Sequence, residues 1–346
     1  MGENMTTSKS ARFDRDTGAP ALRQNENELL RETGPNDGAA PSGGLAGSLL
    51  WNSVAKRIKD SAKALLPDAA FLCLLHHKRI GRYPHLNHPV TFNEKMLQRS
   101  LRPDPSFVTL TDKLSVREYI AAKLGEKHLI PLVAVPAAFT REVFEALPNA
   151  FVMKANHGST FVEIVRNKSE TSFDRLQQLA ARWLATDFYW IARERHYLKM
   201  KPRIFFEHLL LDQHGQIPAD FKVHCFGGRP GRPVMYILVI SDRFGNTTHG
   251  DVYDVDWNHL DIAIGYYKRS ATPAPRPENL ESVLAAAATL CEDFDYVRVD
   301  LYAPDNKVYF GELTFTPGAG VLPFTPDRID YDWGRLLMTG SSASRA

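Results

Sequence analysis

Two carboxylates near the C-terminus are the residues whose types and spacing say most about chemistry. Asp300 lies in the run 296–302 and Glu312 in the run 308–314, and both runs are rich in β-branched and aromatic residues. Turn-forming residues at 304–306 separate the two runs, which is typical of a β-hairpin. The sequence therefore predicts one acid on each of two adjacent antiparallel strands.

The register of this hairpin decides whether the two acids meet. If Leu301 lies opposite Gly311, then Asp300 and Glu312 face each other on one side of the sheet. Like charges directly opposite are destabilising, and a buried pair needs protons, basic partners or a metal ion. Because Mg²⁺ is typically held by one or two carboxylates plus substrate phosphates, the pattern favours a metal–nucleotide site.

Two lysines before the hairpin could neutralise phosphate oxygens. Lys154 ends an apolar run just before a turn that contains Gly158, where backbone N–H groups can close over a phosphate. Lys113 stands where a helix is expected to begin, and a cation there opposes the helix dipole, which hints at an anionic ligand. Each has a plain alternative as a surface lysine, so neither carries the inference alone.

Three further charged residues have two interpretations each. Lys222 alternates with Asp220 on one strand face, so it either binds phosphate or forms a cross-strand ion pair. Arg298 shares a face with Asp300, so it either forms a structural salt bridge or stabilises the oxyanion of an attacked acyl phosphate. Glu207 stands among large apolar residues and needs a partner, which is either a ribose or adenine group or a neighbouring lysine.

Composition limits the class of protein. The chain of 346 residues is 44% hydrophobic and 24% charged, which is ordinary for a globular protein. Its net charge of +2 does not indicate binding to nucleic acid. Its three cysteines are far apart, which argues against a zinc site or a disulfide framework and fits a reducing cytoplasm. No run approaches the roughly 20 apolar residues of a membrane span. We expect a cytoplasmic protein with no transmembrane segment and no nucleic-acid partner.

The elements that must position these residues follow from hydrophobic periodicity and turn signals. Strands are predicted at 129–135, 151–154, 161–165, 203–211, 221–226 and 234–240, before the acidic hairpin. Helices are predicted around 94–99, from 111 to 123, and at 172–185 and 280–294. Residues 49–75 show two helical patterns broken at Pro67, and residues 1–47 carry too few apolar groups to fold, which predicts disorder.

Taken in order, these residues resemble the ATP-grasp superfamily. More narrowly, the segments 92–95, 152–158 and 220–226, together with the hairpin segments 299–302 and 309–315, are similar to the TupA-like ATP-grasp family of surface-polysaccharide gene clusters. The resemblance covers roughly residues 80–335, and the closing hairpin is its most specific part.

The resemblance implies an α+β, ATP-grasp fold in which two α+β subdomains clasp a nucleotide. The implied boundaries are a disordered tail at 1–47, a helical N-terminal segment at 48–110, a small subdomain with the phosphate loop at 111–207, a large subdomain with the Mg²⁺ hairpin at 208–338 and a frayed tail at 339–346.

The resemblance also implies ATP and Mg²⁺ as cofactors and a role for each site residue. The nucleotide would be bound by Lys113, Lys154, His157, Gly158, Ser159, Glu207 and Lys222, and the metal by Asp300, Glu312 and Thr314. Arg298 and Lys222 would be the catalytic residues. Many ATP-grasp enzymes carry Asn where Thr314 stands. The implied reaction activates a carboxylate as an acyl phosphate, which an amine then attacks.

Three functions follow, from different classes. The first is an ATP- and Mg²⁺-dependent carboxylate–amine ligase that joins an amino acid or another amine to a sugar acid of a cell-surface polysaccharide or its precursor. The second is a glycosyltransferase with a metal-bound nucleotide sugar, for which two carboxylates also suffice, although the lysines favour a triphosphate. The third is a nucleotide-sensing or scaffold protein without catalysis.

The run 69–75 bears on partners. It is apolar, and four basic residues follow it at 76–79. We expect a buried helix here, and the alternative is a peripheral contact with a membrane or with the polysaccharide machinery.

Overall fold

The structure, a computed structural model, describes residues 65–227, 233–241 and 248–338 of the 346-residue chain. The disorder predicted for 1–47, the first helical pattern before residue 65 and the frayed tail at 339–346 lie outside the described residues. Within the described ranges, no helix combines the length and the apolar character that crossing a bilayer demands.

Helices are concentrated in the first half of the described chain. The α-helices are α1 (Asp68–Ile80), α2 (Phe92–Leu101), α3 (Phe107–Thr111), α4 (Val116–Leu124), α5 (Arg141–Ala146), α6 (Phe173–Leu184), α7 (Tyr189–Ala192), α8 (Leu280–Cys291) and α9 (Arg328–Met338). Short 3₁₀ turns occupy Glu126–His128, Lys168–Glu170, Arg195–Lys199 and Pro317–Gly320.

The strands form antiparallel sheets. They are β1 (Leu132–Ala134), β2 (Phe151–Ala155), β3 (Val162–Val165), β4 (Ile204–Glu207), β5 (Asp220–Phe226), β6 (Val234–Ser241), β7 (His249–Tyr253), β8 (Ala263–Ile264), β9 (Tyr296–Tyr302), β10 (Tyr309–Thr314) and β11 (Phe324–Thr325). A four-stranded sheet has the order β1-β4-β2-β3, a five-stranded sheet has the order β10-β9-β5-β6-β7, and β11 pairs with β8.

The four-stranded sheet packs its apolar face on α6. Leu176 and Trp183 of this helix share a buried cluster with Phe151 of β2 and Phe206 of β4. The helix begins at Ser172, whose side chain accepts a hydrogen bond from the backbone N–H three residues later, as N-cap residues do. This packing fixes β2 and β4, the strands that carry the predicted nucleotide-binding residues.

The five-stranded sheet separates an apolar face from a polar one. Because side chains alternate along a strand, Phe221, Val223 and Cys225 of β5 pack in the cluster that contains α8. The intervening residues Asp220 and Lys222 are also buried, but they point to the opposite face, where β9 and β10 contribute their charged side chains. The functional candidates therefore lie on one face of this sheet.

Helix α2 fastens the beginning of the described chain to its C-terminal part. Asn93 Nδ2 donates to the backbone O of Leu322 at 2.7 Å, and Asn93 Oδ1 accepts from Leu322 N at 2.9 Å. The Asn93 N–H donates to Asp330 at 2.8 Å, and Lys95 Nζ donates to Gly334 O at 2.7 Å. Two residues of the 92–95 motif thus hold the C-terminal segment in place.

Several element bounds differ from the predictions, and two of these differences concern candidate site residues. The strand expected at 203–211 ends at Glu207. The helix expected to begin near residue 111 begins at Val116, because the Asp112 carboxylate accepts hydrogen bonds from the N–H groups of Leu114 and Ser115 at 2.8 and 2.9 Å. Lys113 therefore lies in a turn between two helices rather than at a helix start.

We predict that Asn93→Ala lowers the free energy of unfolding by about 3 kcal/mol, because it leaves a buried N–H and a buried C=O of Leu322 without partners. Chemical denaturation followed by circular dichroism measures this loss. Asn87→Ala, at an exposed position in the preceding loop, is the control. Equal stabilities for the two variants would show that the hydrogen bonds of Asn93 do not stabilise the fold.

Candidate active site

The predicted acidic hairpin is formed by β9 and β10, and Asp300 lies directly opposite Glu312. Leu301 lies opposite Phe310 rather than Gly311, because the register shifts between Phe310 and Glu312. A Cβ on Gly311 would lie 3.0 Å from the backbone O of Asp300, so a glycine suits this close approach. The predicted cross-strand pairing of the two acids is confirmed, and the bulge is the feature that the sequence did not predict.

Basic side chains hold Asp300. Lys222 Nζ lies 2.6 Å from Asp300 Oδ2 and 2.9 Å from Asp220 Oδ2. The Arg298 guanidinium donates to Asp300 from Nε at 2.6 Å and from Nη2 at 2.8 Å. Of the three ways to accommodate buried acids, the structure displays basic partners, and the ion-pair alternatives for Lys222 and Arg298 are both present.

Glu312 is the more accessible acid of the pair. Its side chain is 25% exposed, whereas that of Asp300 is 4% exposed. Arg298 Nη2 donates to Glu312 Oε1 at 3.0 Å and to Thr314 Oγ1 at 3.0 Å, and the Thr314 hydroxyl donates to Glu312 at 3.1 Å. Arg298 therefore contacts all three residues that were predicted to bind metal.

Lys113 joins the hairpin to the turn after β2. Its Nζ lies 3.2 Å from Glu312 Oε2 and donates to Gly158 O at 2.8 Å. The backbone fixes this position, because Lys113 N donates to Asn156 O at 3.1 Å and Asn156 Nδ2 donates to Asp112 Oδ2 at 2.5 Å. The side chain thus bridges the two sheets.

The surroundings shift the pKa values of the two acids in opposite directions. Burial raises the pKa of Asp300 to about 6, against the opposing charges of Arg298 and Lys222. Burial also acts to raise the pKa of Glu312, but the charges of Lys113, Arg298 and Lys222 lower it overall. Glu312 is therefore the acid that stays ionised over the whole physiological range.

Lys154 and Glu207 form a second buried pair. Lys154 Nζ lies 2.6 Å from Glu207 Oε2, and Arg117 Nη1 lies 3.3 Å from Glu207 Oε1. Burial acts to lower the pKa of Lys154, but the charges of Glu207, Tyr302 and Glu312 raise it overall. Of the two partners predicted for Glu207, the structure shows the neighbouring lysine. The pair lies on the Tyr302 side of the acidic hairpin.

The turn that follows β2 is packed against residues 186–188. Gly158 has a φ of +77°, and a Cβ there would lie 2.3 Å from the Phe188 ring, so only glycine fits. The buried His157 ring has Nε2 3.2 Å from Thr186 O, and burial lowers its pKa, which favours the neutral imidazole. Ser159 follows in a half-buried position. The predicted phosphate loop is therefore brought beside Lys113.

Sequence reasoning missed the segment 188–200, the arm, which also reaches this region. Glu194 is 7% exposed, and the Thr316 hydroxyl donates to its Oε1 at 2.5 Å. No ion pair joins Glu194 to any part of the chain that the structure describes, and burial raises its pKa to about 7 despite the hydrogen bond from Thr316. Its only sequence signal was Thr316, two residues beyond Thr314.

Tyr197 of the arm packs on Phe188 and is affected by the charges of the site. Its ring centroid is 4.8 Å from that of Phe188, which packs on the Gly158 turn. Burial and the charges of Glu194 and Glu312 raise the pKa of its phenol, while Arg298 acts to lower it. The arm therefore contacts both the phosphate loop, through Phe188, and the residues just after the hairpin, through Glu194.

The oxygen donors of this site suit Mg²⁺. Asp300 and Glu312 supply hard oxygen atoms from adjacent strands, and Thr314 adds a hydroxyl beside them. Among the described residues, no group of three His, Cys, Asp or Glu side chains converges as an all-protein metal cage. Two carboxylates surrounded by lysines fit a metal that takes its remaining ligands from phosphates and water.

Comparison with known proteins defines the class. A family model described as TupA-like ATPgrasp matches residues 93–338, which is most of the chain. The described residues form two antiparallel sheets that meet at the charged site. The chain belongs to the TupA-like ATP-grasp family. No curated protein matches the sequence.

Several solved structures are similar to the chain at low identity. The D-alanine–D-alanine ligase of Bacillus anthracis is 15% identical over 67% of both chains, with a TM-score of 0.38. The phosphoribosylamine–glycine ligase of Thermotoga maritima is 15% identical over 60% of this chain and 48% of its own, with a TM-score of 0.34. The ATP-grasp ligase PsnB, solved with a precursor variant, Mg and ADP, is 14% identical over 87% of this chain and 75% of its own, with a TM-score of 0.34. At such TM-scores the assignment rests on the family model.

We predict that Glu194→Gln increases stability above pH 7. The folded chain keeps the Glu194 proton up to about pH 7, whereas an unfolded carboxyl with a pKa of 4.5 releases it earlier, so wild-type stability falls between these values. Because Gln does not ionise, the variant's advantage in free energy of unfolding grows through this window by about 3 kcal/mol.

Denaturant titrations across this pH range measure the difference. Glu118→Gln, which removes a carboxyl from an exposed position on α4, is the control and leaves the two pH profiles parallel. Parallel profiles for Glu194→Gln as well would contradict a buried, unpaired carboxyl at this position.

Proposed function

We propose that the chain is an ATP- and Mg²⁺-dependent ligase that joins a carboxylate to an amine and releases ADP. The observation that carries the proposal is the convergence of Lys113, Lys222 and Arg298, from three different elements, on the Asp300–Glu312 pair. Family membership supports the ligase over a glycosyltransferase, and so do the lysines, which suit a triphosphate.

Metal binding is assigned to Asp300 and Glu312, with Thr314 beside them. Bound there, the metal would neutralise phosphate charge and orient the phosphoryl group that ATP supplies. Glu312 is the better exposed ligand and the more acidic one. Arg298, which holds both carboxylates on one side of the sheet, orients the donor oxygens.

Nucleotide binding is assigned to the opposite wall of the site. Lys113 and Lys154 would contact phosphates, and the turn 157–159 would close over them through its backbone. Glu207 would lie near the adenosine. In the structure these cations are paired with Glu312, Gly158 O and Glu207, and a triphosphate would take the place of these partners. The existing pairing lowers the free-energy cost of keeping the lysines desolvated before the nucleotide binds.

Catalysis is assigned to Lys222 and Arg298. Phosphoryl transfer depends mainly on positioning and charge neutralisation, so no side-chain nucleophile is required. Lys222 is 5% exposed and reaches the face on which the phosphoryl group would lie. Arg298 would stabilise the oxyanion that forms when an amine attacks the acyl phosphate.

The substrates and the setting are part of the proposal. We assign the carboxylate to a sugar acid of a cell-surface polysaccharide or its precursor, and the amine to an amino acid or a related compound. The free cysteines at 73, 225 and 291 support a cytoplasmic site of action. Peripheral association with the polysaccharide machinery is a further part of the proposal. The segments 48–110, 111–207 and 208–338 remain the proposed domain boundaries.

We predict that Asp300→Asn and Glu312→Gln each abolish ADP release while the fold survives, because each removes a charged metal ligand but keeps the side-chain shape. The assay screens panels of uronic acids and amino acids with ATP and Mg²⁺. Asp305→Asn, on the exposed turn of the same hairpin, is the matched control. Undiminished ADP release by either site variant would refute the metal role, and binding of nucleotide sugars in preference to ATP would refute the ligase.

A further inference from the structure

Charged groups follow one another in rows across the polar face of the large sheet. Tyr302 lies opposite Asp220, Asp300 lies opposite Lys222, and Arg298 lies opposite His224. On the other neighbour of β9, Glu312 aligns with Asp300 and Thr314 aligns with Arg298. The order along the strands therefore runs from the Tyr302 row, through the two acids, to the Arg298 row.

The arm joins this order at its Arg298 end. Glu194 accepts a hydrogen bond from Thr316, two residues beyond Thr314, which aligns with Arg298. Lys154 is paired with Glu207, and the charges of Tyr302 and Glu312 act to raise the pKa of this lysine. The acidic pair thus lies between a lysine end and an arm end.

This order has a consequence for phosphoryl transfer. The attacking and leaving oxygens lie roughly in line on opposite sides of the transferred group. If ATP occupies the lysine end, as in the proposed function on which this step rests, the carboxylate must approach from the Arg298 row. The amine that later attacks the acyl carbon must come from still further along, where Thr316 meets Glu194.

Glu194 differs from every other buried acid of the site. Asp220 and Asp300 pair with Lys222, Glu207 pairs with Lys154, and Glu312 pairs with Lys113. Glu194 has a hydroxyl donor from Thr316 but no cationic partner within the ranges that the structure describes. A buried carboxyl that lacks a cation is destabilising, and a ligand that brings one removes that cost.

We propose that Glu194 is the subsite for the amine substrate, where its carboxylate, oriented by Thr316 and flanked by Tyr197, receives the ammonium group. The arm is then the wall that selects the amine. Glu194 is the one carboxylate in the sequence of the arm, so an ammonium group has a single point of attraction there.

Glu194 would also take a proton from this ammonium group. The resulting free amine attacks the acyl carbon, so a C–N bond forms while the C–O bond to phosphate breaks and its electron pair leaves on the phosphate. The second nitrogen proton leaves with the phosphate, and the proton on Glu194 returns to solvent when the product departs. Charge and atoms balance without any further reactant.

The test is a binding measurement that needs no turnover. Saturation-transfer NMR compares glycine and L-alanine with glycolate and L-lactate, which carry a hydroxyl in place of the ammonium group, with and without Mg²⁺ and a non-hydrolysable ATP analogue. Wild type binds the amines more tightly than the hydroxy compounds. Glu194→Gln weakens amine binding by about tenfold or more, the value of one charge-assisted hydrogen bond, and leaves the hydroxy compounds unaffected.

Two further variants make the result specific. Thr316→Val, which keeps the carboxyl but removes its hydroxyl donor, weakens amine binding as well, and Glu118→Gln leaves it unchanged. Equal amine binding by wild type and Glu194→Gln, or no preference of wild type for amines, would overturn the subsite. An equal loss of nucleotide binding in Glu194→Gln would also overturn it, because Glu194 would then have a general structural role. Failure of the ligase proposal is read separately, from ADP release by the Asp300 and Glu312 variants.

Discussion

The site depends on one interaction: the Arg298 guanidinium bonds Asp300, Glu312 and Thr314 at once, across two strands. Two carboxylates placed opposite each other repel, and a buried pair is stable only when positive charge lies beside it. Arg298, Lys222 and Lys113 provide that charge from three different elements. The hairpin, the central strand β5 and the turn before α4 are therefore joined through the same pair of acids.

This network explains how a site can keep charged groups desolvated before its ligands arrive. Each cation that is assigned to phosphate is already paired with an acid or a carbonyl oxygen, so neither partner is buried alone. Glu194 is the exception, because burial raises its pKa to about 7 and no described cation lies beside it. Groups that reduce stability and have no structural role are commonly found at functional sites.

The sequence was most informative where local rules decide the outcome. Strand alternation and the turn at 304–306 predicted the hairpin, and the periodicity of α8 was equally clear. The pairing of Asp300 with Glu312 was predicted only for the register in which Leu301 faces Gly311. In the structure the pairing arises from the bulge at Gly311. Phe310 and Leu313 pack in the same core cluster although they are three residues apart, a break in strand alternation that the prediction did not take into account. The true position of Lys113 depends on a side-chain cap at Asp112, which competes locally with helix formation. Glu194 could not be found at all, because its partner Thr316 lies far away in sequence and only the packing of the arm brings them together.

The central claim is that the two acids converge on a divalent cation when nucleotide is bound. A crystal structure of the complex with Mg²⁺ and a non-hydrolysable ATP analogue tests it most directly. The account predicts a metal ion within about 2.1 Å of one oxygen from each of Asp300 and Glu312, with its remaining ligands from phosphate and water. A bound nucleotide whose metal is held by neither carboxylate, with both acids still in their ion pairs to Lys222, Lys113 and Arg298, would contradict it.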